Sequence, residues 1–229
     1  MNYPDKLKRV SEYVVQFFLE HPHEHFYYHN LTHTVKTLEA VNKINSLYQL
    51  DEKNYFIVCA AVWFHDTGII VEGLADHEIN STEIAEDFLK KIEVPAEDIA
   101  QIKKCILGTK LPQHAETIVE KIVCDADLFN LGTSEFSEIN KLVKRETETQ
   151  THTKISGHDW RAKTIALLES HQYQTEYCQS NLNKIKAENL ERCIKRMFKV
   201  EVVSGHVFSG SEIVGSFIDM WQKLSKEIS

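Results

Sequence analysis

Residues 55–66 read YFIVCAAVWFHD. From Tyr55 to Phe64 every side chain is apolar, and a histidine and an aspartate follow without a spacer. A helix that is apolar all round has no solvent face, so this segment belongs at the centre of a fold. Ionisable groups placed straight after it are costly unless something compensates them, and a metal ion is an economical compensation. The run is too short to span a bilayer, which takes about 20 apolar residues. The expectation is a soluble, cytoplasmic protein without a membrane partner.

Moving outward, apolar residues recur at helical spacing almost everywhere. Val35, Leu38, Val41, Ile44 and Leu47 make one stripe, and Ile84, Phe88, Leu89 and Ile92 make another that ends before Pro95. Ile99, Ile102, Ile106 and Leu107 form a third, with Gly108 as a stop. Further helices are expected over about 5–20, 52–66, 115–129, 134–150, 158–171 and 174–198. The fold class is therefore all-α, a helical bundle over residues 1–199 followed by a C-terminal extension, 200–229. In that extension EVVSGHVFSGS reads as a linker or short strand. Ile213, Val214, Phe217, Ile218, Trp221 and Leu224 then mark an amphipathic helix. It either packs back on the body or forms a homodimer contact through Phe217 and Trp221.

The formal net charge is -8 and no block of Lys or Arg stands out, which argues against a nucleic-acid partner. A small phosphorylated molecule stays open, because a bound cation supplies positive charge locally. The five cysteines are odd in number and contain no CxxC pair, so neither a disulfide scaffold nor a thiolate zinc site is expected.

Two imidazoles and two carboxylates recur in helical context: His33 at the mouth of one helix, His65 and Asp66 after the buried one, and Asp127 in CDADLFNLG. A mixed N/O set of this kind suits a divalent metal ion (Mn, Mg, Fe, Co, Ni or Zn) with positions left for water and substrate. Such an ion activates water and polarises a phosphoryl oxygen.

The order His33 … His65–Asp66 … Asp127 resembles the H…HD…D signature of the HD superfamily of metal-dependent phosphohydrolases. YHNLTH, WFHDTG, DHEINSTEIA, ILGTKLPQH, DADLFNLG and KRETE extend the likeness to a bacterial branch of these proteins, over roughly residues 5 to 197. The resemblance implies an HD-domain helical bundle and a phosphohydrolase that cleaves a phosphoester or phosphoanhydride bond of a nucleotide-like substrate. Two competing readings are a non-catalytic metal- or nucleotide-binding sensor and a di-iron oxygenase of the same fold, which would need extra histidine ligands.

His29 and Asn30 match the HN-x-x-H arrangement of cyclic-nucleotide phosphodiesterases, in which the first histidine protonates the leaving oxygen; the plainer role for His29 is a hydrogen bond to a loop. Glu78 either accepts a proton from the attacking water or serves as a carboxylate at a helix N-terminus. Lys110, Arg145 and Asn30 are candidates for binding substrate. Lys110 is otherwise a surface lysine, and Arg145 otherwise pairs with Glu148 on a helix surface. Asp125 could support the metal ligands, and His21, His23 and His25 are expected in solvent. HDTGII lacks the Glu-Asp pair of alarmone-hydrolysing relatives, and Ile69 stands where two-metal phosphodiesterases carry a histidine. One metal site is therefore expected, with His77 or His114 as helpers for a second ion.

Overall fold

Residues 2–21 and 25–202 are described in the computed structural model, with side chains through 198. The expected helix from Ile213 to Leu224, its contact through Phe217 and Trp221, and His23 lie outside the described residues. Ten α-helices follow one another, with no strand among the described residues. They are α1 (Tyr3–Glu20), α2 (Leu31–Tyr48), α3 (Glu52–Phe64), α4 (Thr67–Glu72), α5 (His77–Lys91), α6 (Ala96–Gly108), α7 (Ile118–Asp127), α8 (Phe136–Gln150), α9 (Gly157–Ser170) and α10 (Glu176–Val202). A 3-10 turn, Phe129–Gly132, follows α7. The all-α expectation holds, and α10 continues past residue 199, where the sequence put the end of the domain.

The central helix is α3. Phe56 to Val62 and Phe64 are all buried, and the helix packs against α1, α2, α6 and α7. Its start is fixed by Asp51, whose carboxylate accepts from the Asn54 amide at 2.8 Å and satisfies one of the free N–H groups of the first turn. The stretch Glu52–Glu72 is long and apolar enough to cross a membrane, yet 72% of that window is buried inside the protein. Its apolar surface is spent on the core.

The sequence reads one helix through residue 66, whereas the structure breaks it. The His65 amide still bonds Ala61 O at 2.9 Å, but Asp66 turns out of the helix at φ -104°, ψ 2°, and α4 starts at Thr67. One hydroxyl holds the break: Ser81 Oγ donates to His65 O at 2.7 Å and accepts from Gly68 N at 2.8 Å. Ser81 belongs to α5, which can come this close only because Gly68 lacks a side chain. A Cβ there would lie 2.1 Å from His77 O. The pairs His65–Asp66 and His77–Glu78 are thereby clamped next to each other.

Candidate metal centre

Three elements deliver the four predicted ligands to one place. Asn30 caps α2, its Oδ1 accepting from the amides of Thr32 and His33 at 2.9 and 3.3 Å. That cap aligns the first turn and turns His33 inward. The α3–α4 break presents His65 and Asp66, and the C-terminal end of α7 presents Asp127.

The donor atoms lie close together. His33 Nε2 is 3.2 Å from His65 Nε2, 3.2 Å from Asp127 Oδ1 and 3.4 Å from Asp66 Oδ2. His65 Nε2 is 3.1 Å from Asp66 Oδ2 and 3.6 Å from Asp127 Oδ1. Donors about 2.1 Å from a common ion stand roughly 3.0–3.5 Å apart when they are neighbours in its coordination shell. Atoms of His33, His65 and Asp127 lie mutually within 4.8 Å, and Asp66 joins on the side of the two histidines.

Two further observations fit an ion. His65 Nδ1 donates to Val62 O at 2.7 Å, which fixes the tautomer and leaves Nε2 with a lone pair facing the cluster. Asp66 Oδ2 is buried and has no hydrogen-bond partner in the protein; an orphaned carboxylate oxygen in the interior calls for a cation. The charges agree. Burial opposes ionisation, but His65, His29 and His33 hold Asp66 far below the usual carboxylate range, and His33 and His65 do the same for Asp127. Burial disfavours a protonated His65, yet Asp66 and Asp127 raise it well above its ordinary value. A divalent ion competes with those protons for the same lone pairs.

The cluster sits between two cavities. One, of about 490 Å³, is walled by His33, Lys36, Lys43, Phe129 and Asp127 among others. The second, of about 570 Å³, has Asp66, Asp127, His29, His77, Glu78 and Lys110 in its lining. Both are within the range of small-ligand pockets. Tyr28, Asp127 and Asn130 belong to both walls, and Asn130 Oδ1 is buried without a partner.

No protein-family model, curated protein or solved structure matches this chain. The site must be read from its own residues.

His29 lies in the wall of the larger cavity, and its partner is a residue the sequence reading passed over. Glu146, 1% exposed, receives His29 Nδ1 in a short hydrogen bond and also accepts the amides of Tyr28 at 2.7 Å and His29 at 3.1 Å. This leaves Nε2 as the ring nitrogen available to the cavity. Burial opposes protonation of His29, but Asp66, the Glu146 hydrogen bond and Asp127 together raise it above its ordinary value. Glu146 stands on the inward stripe of α8, in register with Phe136, Ile139 and Val143. A carboxylate at an apolar position was the available signal.

Glu78 is buried in the first turn of α5 and lines the same cavity. His77 Nε2 stands 3.6 Å from Glu78 Oε1 and 3.6 Å from Asp66 Oδ1. Lys110 stands at the rim with its Nζ 2.6 Å from Asp76 Oδ1, so its charge is already met. The other substrate candidates are placed differently. Asn30 spends both ends of its amide on the chain, its Nδ2 donating to Phe26 O at 3.1 Å while its Oδ1 caps α2. Arg145 is exposed and stacks on Tyr27, 3.8 Å from the ring centroid; Tyr27 lines the smaller cavity, but Arg145 itself lines neither. Glu148 instead neighbours Lys144 and Lys154, at 3.5 and 4.0 Å.

Three further expectations are corrected. Asp125 faces away from the cluster, because residues two apart on a helix point to nearly opposite sides. It accepts the Gln174 and Thr175 amides and the Thr175 hydroxyl, and so pins the start of α10. His114 is 84% exposed and cannot help hold an ion. His21 is half-buried, stacked on Phe17 and bonded through Nδ1 to Phe17 O at 2.8 Å.

Gln113 lies within ILGTKLPQH but was not singled out from the sequence. Its Nε2 donates to Asp127 Oδ2 and to Cys124 O, both at 3.2 Å. The bond to Oδ2 leaves Oδ1 to face the histidines.

Proposed function

We propose that the protein is a metal-dependent phosphohydrolase of the HD type, cleaving a phosphoester or phosphoanhydride bond of a nucleotide-like substrate with water. The observation that carries this reading is the convergence of His33, His65, Asp66 and Asp127 at the wall of a cavity, beside a histidine backed by a buried glutamate. When bound there, a divalent ion supplies Lewis acidity toward a phosphoryl oxygen and toward water.

The chain's own residues handle position and protons. Asp66 and Asp127 bring negative charge to the ion, and Gln113 keeps Asp127 turned so that one oxygen faces inward. Glu78, in the cavity wall, takes the proton of the attacking water. His29 gives a proton from Nε2 to the oxygen that leaves phosphorus, while Glu146 holds the ring and favours the protonated form. In balance, water adds its oxygen to phosphorus, the ester P–O bond breaks, and the alcohol departs with the His29 proton.

A hydrolysis screen of nucleotides, cyclic nucleotides and simple phosphate esters with Mn, Mg, Co and Ni tests this. Turnover should require added metal and vanish in Asp66→Ala. Turnover retained by metal-free Asp66→Ala protein would refute the mechanism.

A further inference from the structure

The larger cavity is two-faced. Its lining includes the polar groups Asp66, Asp127, His29 and Glu78 and the apolar side chains Leu128, Leu131, Phe136, Val143, Trp160 and Leu167. Resting on the metal-dependent phosphohydrolase reading but replacing its nucleotide-like substrate, we propose that this apolar lining is a subsite for the body of the substrate. The substrate class is a phosphoester with a single phosphorus whose alcohol carries a ring-sized, apolar group.

Two observations carry the proposal. The first is charge. Four carboxylates (Asp66, Asp76, Glu78 and Asp127) and two lysines (Lys110 and Lys163) line the cavity. Their formal sum is minus two; a divalent ion brings it to zero, and a protonated His29 to plus one. The smaller cavity offers no reserve: Asp127, Glu39 and Glu135 face Lys36 and Lys43 there. Lys36 is spent on Glu135 at 2.7 Å, and Lys43 lies over the Phe129 ring at 5.4 Å. No arginine lines either cavity among the described residues. Polyphosphates are held by arginine forks, lysines or nests of backbone amides. A near-neutral site suits one phosphate.

The second is hydrogen-bonding capacity. Three of the four hydroxyls on the wall, all but that of Tyr28, give their proton to the protein itself. Thr109, Thr147 and Thr164 donate to the carbonyls of Ile106, Val143 and Trp160 at 2.7, 2.9 and 2.8 Å. The indole N–H of Trp160 donates to Asn140 Oδ1 at 3.1 Å, which turns its polar edge to the protein. A ligand body with many polar edges would lose its hydration here and regain few partners. An apolar ring loses nothing. Asn130 Oδ1, unpartnered where the two cavities meet, is an acceptor for one donor near the phosphate.

Binding of inert phosphonates to the full-length, Mn-loaded protein separates the two layers of the argument. Methylphosphonate, 1-naphthylmethylphosphonate and inorganic triphosphate are compared by calorimetry at equal free Mn. The naphthyl compound should bind at least about thirtyfold more tightly than methylphosphonate, the return on burying about 100 Å² of apolar surface after losses to ordering. Triphosphate should bind no better than methylphosphonate. Val143→Trp, which adds bulk to the apolar lining, should cancel the naphthyl preference without changing affinity for Mn or methylphosphonate. The wild-type comparison stands alone should that variant misfold. Equal binding of the two phosphonates, or tightest binding of triphosphate, would overturn the subsite and leave the metal-dependent reading in place. Mn binding with no phosphonate binding would overturn both.

Discussion

Gln113 gives the candidate metal centre a graded test. Removing the ion with a chelator and restoring it should raise the melting temperature, because a ligand that binds only the folded state stabilises it by mass action. At a free ion concentration of about 1,000 Kd the gain is about 4.1 kcal/mol. For a chain of 229 residues each kcal/mol moves Tm by about 2–4 °C, so the expected rise is about 8–16 °C. Gln113→Met keeps the bulk and removes the N–H that holds Asp127 Oδ2 at 3.2 Å. Loss of such an outer partner weakens metal binding about 10- to 100-fold. At the same ion concentration and a tenfold loss, about 2.7 kcal/mol remains, a rise of about 5–11 °C. Asp127→Asn removes a charged donor; at a hundredfold loss only about 1.4 kcal/mol remains, a rise of about 3–6 °C. Differential scanning fluorimetry with Mn, Fe, Co, Ni, Zn and Mg reads the ladder directly. No rise with any of these ions would refute the site, and equal rises in all three proteins would refute the part given to Gln113 and Asp127.

Replacing His29 by Asn should slow hydrolysis of an alkyl phosphoester by about a hundredfold and hardly affect a nitrophenyl ester, whose leaving group needs no proton; parallel kinetics on the two esters decide. A general acid works while protonated and Glu146 raises His29, so Glu146→Gln should move the high-pH fall of the alkyl-ester rate to lower pH. His171 is lowered to about 4, first by burial and then by Lys186. Its folded-state value lies below the unfolded one, so its contribution is intact above about 6.5 and is lost as pH falls toward 4. Urea titrations at pH 7 and pH 5 should therefore differ by about 1 kcal/mol less in His171→Phe than in wild type, after discounting for the ring's partial exposure. Gly68→Ala places a Cβ 2.1 Å from His77 O and 2.7 Å from Ser81 N; parting α4 from α5 should cost about 3 kcal/mol in urea titrations and weaken metal binding with it.

Periodicity made the helices legible because a helix stripe is a local property. Tyr55–Phe64, apolar all round, marked the centre of the bundle, and the ionisable pair after it marked half of the His/Asp cluster. What stayed hidden depends on distant neighbours. The turn at Asp66 is made by Ser81 and permitted by Gly68, so the residues of 52–66 alone contain no reason to stop. Glu146 looked like one charge among many in KRETE, and its partner lies 117 residues earlier. Asp127 was told apart from Asp125 in the sequence, but that Asp125 turns to the start of α10 depends on a segment about 50 residues away. Arg145 was drawn to Tyr27 by stacking, a pairing no spacing rule anticipates.

The distance between His29 and Glu146 also sets a clock. Their 117-residue separation takes about 6 to 23 s to synthesise at 5–20 residues per second. By the time Glu146 exists, His33, His65, Asp66 and Asp127 have all been made. His29 therefore waits longer for the carboxylate that orients its ring than the four candidate ligands wait for one another, and its place in the cavity wall is set only once α8 packs.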